Sequence, residues 1–70
     1  MMAYVLTTNG HGELMRPIRE HTHGHTAGRR FAVVRTASGA WVSGEVLRVW
    51  KDERAATRDH YSPEQRGATR

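Results

Sequence analysis

Three histidines alternate in the run His21-Thr22-His23-Gly24-His25. In an extended segment alternate side chains share a face, so the three imidazoles could ligate zinc, nickel or copper, with His11 or Glu20 as a further ligand. The segment that carries them works against that use. Residues 19 to 30 hold two glycines and no large apolar side chain, so nothing drives their burial or supplies the packed second layer that fixes a metal ligand. The expectation is a solvated loop without a metal or any other cofactor. A pH-responsive or partner-contacting role for the loop is the other reading, because protonating histidines adds positive charge and strengthens binding to anions.

No other constellation reads as catalytic. Ser38, Ser43 and Ser62 sit in no recognisable nucleophile turn, and Asp59-His60 is a pair of neighbours whose side chains diverge in a helix. Glu13, Glu20 and Glu45 are isolated from one another, which gives no paired carboxylates for acid–base work. No glycine cluster stands between a strand and a helix, so no phosphate-cradling loop is expected. The chain is read as a non-enzyme.

What remains is a set of arginines interleaved with aromatic residues. The formal charge is +4 and the pI near 10.7, and Lys51 is the only lysine among eleven basic residues. Arginine favours forked contacts to phosphate or carboxylate, although a GC-rich genome also prefers its codons. The charge is spread along the chain, a balance that permits nucleic-acid binding without requiring it. The residues expected to meet a partner are Arg30, Arg35, Arg48, Trp50, Lys51 and Arg54, with Trp50 exposed at a strand end between Arg48 and Lys51. Phe31 and Trp41 are expected in the core, since a domain this small needs its large side chains there.

At 70 residues the chain is one domain with room for one small core, with an expected stability of only ~3 to 5 kcal/mol. The absence of cysteine removes disulfides and thiolate metal sites, leaving self-association as one way to add stability, so a homodimer is among the expected partners. With no apolar run long enough for a signal peptide or a membrane span, the expected location is the cytoplasm and no membrane partner is foreseen.

Ala3 to Thr8 reads as a strand, Asn9-Gly10-His11-Gly12 as a turn, and Glu13 to Ile18 as the return strand, with Leu14 and Ile18 on one face and Pro17 suited to an edge. Phe31 to Thr36 and Trp41 to Trp50 form the clearest hairpin, joined through Ser38-Gly39. Gly44 marks a bend or bulge, and the strand is expected to switch its buried face because Val42 and Val46 lie on one side and Leu47 and Val49 on the other. Asp52 is a plausible N-cap for a short helix over Glu53 to Arg58. The fold class is mainly β, a small barrel or curled antiparallel sheet of four or five strands. Residues 1–61 form the domain, and residues 62–70 a flexible tail.

Gly28-Arg-Arg-Phe-Ala-Val-Val34 and Trp41-Val-Ser-Gly44-Glu-Val46 together resemble the central hairpin of small SH3-like β-barrels. Transcription-associated KOW modules and the plasmid-borne type II dihydrofolate reductases share that architecture. Ser38-Gly39-Ala40-Trp41 and Gly44 are similar to a stretch of those reductases, but their Val-Gln-Ile-Tyr substrate motif has no match in residues 51–70, so the resemblance implies the architecture and not the activity. The expected function is a non-catalytic accessory binding protein of the phage or plasmid regulator type, acting on host transcription machinery or another nucleoprotein through arginines and exposed aromatics. Its expected partner is a protein or nucleoprotein, with nucleic acid itself among the contacts. The alternatives are a histidine-based metal-binding protein and a protein-inhibitor module without affinity for nucleic acid.

Overall fold

A computed structural model of the chain describes residues 3–59; the expected domain boundary after residue 61, the tail and Tyr61 lie outside them. Five strands form in chain order: β1 (Tyr4–Thr7), β2 (Gly10–Leu14), β3 (Arg19–Glu20), β4 (Arg30–Arg35) and β5 (Trp41–Trp50). A 3-10 turn (Gly24–Thr26) lies between β3 and β4, and residues 53–59 are helical (α1). The sheet runs β2-β1-β5-β4-β3, entirely antiparallel, and β2 also pairs with β4. That last pairing closes four strands into a barrel, and β3 is an added strand that follows β2 along the same edge of β4.

Closure depends on one close approach. Glu13 and Leu14 of β2 pair with Arg35 and Val34 of β4, and Gly12 passes so near the Arg35 carbonyl that a Cβ would overlap it, with the carbonyl carbon only 2.5 Å away. Glycine is therefore required by space here, at the point where a sheet becomes a barrel. Beyond Leu14, Met15 donates its amide to Val33 O at 2.9 Å, and the pairing then lapses at Arg16 and Pro17 before β3 resumes it. Proline has no amide to donate, which is why β2 and β3 are two strands rather than one.

The first hairpin turns earlier than its glycines suggest. Thr8 and Asn9 make the turn, and Gly10, His11 and Gly12 belong to the return strand. The Thr7 hydroxyl accounts for the shift: it accepts from the Asn9 and Gly10 amides at 3.2 and 3.1 Å and donates to Gly10 O at 2.6 Å. Buried Thr7 is thus fully hydrogen-bonded and stabilises the turn from inside the barrel. The turn is also tied to β5, where Asn9 Nδ2 donates to Ser43 O and the Glu45 amide to Thr8 Oγ1. A Cβ at Gly44 would meet the Thr7 and Thr8 hydroxyls at 2.9 Å, so the missing side chain makes room for that crossing.

The core is small. Val5 and Val34 are completely buried and Ala32 nearly so, with Leu14, Ile18, Val42 and Val46 packed around them. Strand alternation sends Phe31, Val33 and Arg35 outward from β4, and the register sets Trp41, Ser43 and Glu45 of β5 beside them. Trp41 is consequently 54% exposed, and its expected place in the core is corrected: Val34 and Val42 occupy the inner face at that level. Phe31 is half-buried on the outer surface rather than in the core.

The switch in β5 occurs as a bulge. Leu6 pairs with Arg48 and Thr7 with Val46, so Leu47 is the extra residue. It resets the alternation, placing Val46 inside with Thr7 and Trp50 outside with Tyr4. Leu47 and Val49 are left exposed. Asp52 then caps α1 as its sequence suggests, accepting the Ala55 amide on Oδ1 at 2.8 Å. Within α1, Ala56 is buried, with an exposure of 3%.

Candidate functional site

The outer surface of the barrel divides into two walls. On the first, β1 and the second half of β5 present Tyr4, Leu6, Arg48 and Trp50, and Tyr4, Leu6 and Trp50 line a cleft of about 220 Å³ together with His11, Ala37, Glu53, Ala56 and Thr57. Trp50 is half-buried here, with its ring 6.4 Å from that of Tyr4 and its indole N–H donated to Asp59 Oδ2 at 2.8 Å. Asp59 also pairs with Arg48, whose guanidinium lies over the Trp50 ring at 5.6 Å. Asp59 belongs to α1, so the helix and this tryptophan hold each other in place.

The second wall is made by β3, β4 and the first half of β5. Trp41 lies opposite Arg35 across the strand pair, and the Arg16 guanidinium is 5.9 Å from its ring centre. Farther along the wall Phe31 lies opposite Arg19 on one side and Glu45 on the other. The His21 ring packs on Phe31 at 4.6 Å, and Arg29 approaches the same ring at 5.8 Å. Arg29 and Glu45 form a two-pronged ion pair, with Nε to Oε2 at 3.0 Å. The hydrogen bond from Arg29 holds the Glu45 carboxyl below its ordinary value against the opposing effect of desolvation, with the guanidinium charge making a smaller contribution in the same direction as the bond. The same bond raises Arg29 above the usual arginine range. Among the described residues α1 packs on the first wall through Trp50 and Arg48 and reaches the second only at its Arg35 edge, where Glu53 and Arg54 share a cleft with that arginine.

The residues expected to meet a partner are divided between these surfaces. Arg48, Trp50, Lys51 and Arg54 fall on or beside the helix-bearing wall, among Asp52, Glu53 and Asp59. Arg35 and Arg54 share a second cleft, about 460 Å³ in volume, with Glu13, Asp52 and Glu53. Its three carboxylates outnumber its two guanidinium groups, which does not suit an anion. Arg30 lies at the barrel mouth opposite Glu20. Sequence reasoning did not single out Arg16 or Arg19, which flank the open wall and form no ion pair with a carboxylate among the described residues.

The three alternating histidines do not converge. His21 is bound through Nδ1 to Thr26 Oγ1 at 2.8 Å and rests on Phe31, His23 precedes the 3-10 turn, and His25 lies within it. Among the described residues no group of three or more His, Asp or Glu side chains could hold a metal ion. The ribbon is pinned by backbone bonds from Gly28 N to His21 O at 2.6 Å and from His21 N to Arg29 O at 3.0 Å. It extends the β3–β4 pairing and thereby fixes where His21 lies.

No helix among the described residues is long and apolar enough to cross a membrane. Compared with protein families, with curated proteins and with solved structures, the chain matches none.

Proposed function

We propose that the chain is a non-catalytic accessory binding module that docks on an anionic surface of a nucleoprotein assembly through its open wall. The observation that carries this reading is Trp41, an indole 54% exposed between Arg16 and Arg35 on a wall that α1 reaches only at its Arg35 edge. Exposing so large a ring forgoes apolar burial worth ~2 kcal/mol or more, a large sacrifice in a domain of marginal stability. Aromatic and arginine side chains are also the types that dominate binding energy at interfaces. The small closed antiparallel barrel accords with an SH3-like module, and phage- or plasmid-type regulation of transcription is the setting this proposal favours. Trp41 takes the anchoring role first expected of Trp50, and the scattered positions of His21, His23 and His25 give the metal-binding alternative no support.

The test is recovery of nucleoprotein from a cell lysate by the tagged chain, repeated with the double variant Arg16→Glu, Arg19→Glu and after nuclease treatment. Wild type should retain a nucleoprotein fraction that the charge reversal loses, while both proteins melt at the same temperature. Equal retention by the two proteins, or none by wild type, would refute the proposal.

A further inference from the structure

The open wall presents two flat rings rather than one, and their setting narrows the class of ligand. Trp41 is one. The other is His21, whose imidazole is supported from beneath by Phe31 at 4.6 Å and fixed by the Nδ1 contact to Thr26 at 2.8 Å, while the residue remains exposed. Phe31, the ring on which His21 rests, lies opposite Glu45, four residues or roughly 13 Å along β5 from Trp41 at the rise of an extended strand. Arg16 and Arg35 border the first ring, and Arg19 lies opposite Phe31 beside the second.

We propose that this wall binds single-stranded nucleic acid, stacking one base on Trp41 and another on His21, with phosphates held by Arg16 and Arg19. The inference rests on the docking role given above and specifies the ligand. Unpaired bases offer their faces to aromatic rings, and alternating rings and guanidinium groups on a sheet serve both the bases and the backbone between them. A base entering over Trp41 could also lie beneath the Arg16 guanidinium, which already approaches that ring. A duplex hides its base faces, and its grooves are read by an inserted helix or ribbon. Here α1 contacts the other wall. The charge balance agrees: Glu45 is engaged by Arg29, Glu13 approaches Arg35 at only 4.0 Å, and Arg16 and Arg19 form no ion pair with a carboxylate among the described residues.

Fluorescence anisotropy of a labelled single-stranded oligonucleotide, compared with the duplex of the same sequence at ~50 mM salt, reads the proposal. The single strand should bind more tightly than the duplex. Trp41→Ala and His21→Ala should each weaken it by about tenfold, on the scale of one lost base–aromatic stack. His21→Phe, which keeps a ring on Phe31, should retain binding, and His23→Ala should leave it unchanged. Equal affinity for duplex, or loss of binding only on charge reversal of Arg16 and Arg19, would overturn stacking while leaving the docking role intact. Failure to bind any oligonucleotide, combined with nuclease-resistant retention that still depends on Arg16 and Arg19, would overturn it in favour of an acidic protein. If charge reversal also leaves lysate retention unchanged, the docking role fails as well.

Discussion

The two tryptophans of β5 stand at opposite ends of one strand, both on the outside of the barrel, and meet opposite fates. Trp50 is packed against Tyr4 and bonded to Asp59 of α1, whereas Trp41 is 54% exposed beside Arg16 and Arg35. Residue type cannot explain this. What differs is the neighbouring chain: two residues after Trp50 the Asp52 cap starts a helix that lies back on that wall, while Trp41 is preceded by the tight Thr36-to-Ala40 connection, too short to form a helix over its ring. One wall carries the helix, and the other keeps its tryptophan exposed.

The largest expected effect tests the barrel that both walls share. Gly12→Val must displace the Arg35 carbonyl or open the β2–β4 seam, and a domain with only ~3 to 5 kcal/mol in hand should not survive it. Circular dichroism should show no cooperative melt at 25 °C; a native transition would mean the seam does not set stability. Next comes the direct contrast between walls. Trp50→Ala removes a half-buried ring and its bond to Asp59 and should cost ~2 kcal/mol, while Trp41→Ala should cost less than ~1 kcal/mol by the same melt. Equal losses would abolish the distinction. Asp52→Ala should cost ~1 kcal/mol through the unsatisfied Ala55 amide, with the loss confined to the helix-bearing wall. That localisation is readable as faster hydrogen exchange in residues 53–59 without a change in β4.

Much of this division was present in the sequence. The β4–β5 hairpin follows from Val34, Val42, Gly44 and Val46, and those inward positions already force Trp41 outward by strict alternation. Size argued the other way, and alternation prevailed because the barrel interior is filled by valines and Ala32. The Asp52 cap was legible for the same local reason that it forms. The early turn at Thr8-Asn9 was not, because it depends on a buried Thr7 hydroxyl and on bonds to Ser43 and Glu45 more than thirty residues away. Nor could the helix be assigned to Trp50, since the outward direction of that ring depends on the bulge at Leu47, which only the pairing with β1 reveals. Arg16 escaped notice because its relation to Trp41 spans two strands that are distant in sequence.

The smallest effect is expected at the Arg29–Glu45 pair, beside Phe31 on the open wall. Glu45 titrates below its ordinary value in the folded chain, mainly because Arg29 donates a hydrogen bond to it, so at acid pH the unfolded state binds more protons than the folded one. The pair's contribution is therefore present above the ordinary glutamate value and is lost as pH falls through the lowered one. Arg29 is raised, so its contribution is complete below the ordinary arginine value and disappears only at extreme alkaline pH, outside the useful range. Both side chains face solvent, where ion pairs are weak and screened by salt. Glu45→Gln isolates the effect, because every other group titrates in both proteins. Wild type should melt slightly above the variant at neutral pH, and the two curves should converge as pH is lowered below the ordinary glutamate range or as salt is raised. A gap independent of pH would assign the difference to packing on Phe31 instead. The same variant leaves the Arg29 charge without its carboxylate partner, so anion binding at neutral pH should strengthen even as stability falls slightly. That opposition would mark Glu45 as a residue that stabilises the open wall at the expense of what the wall binds.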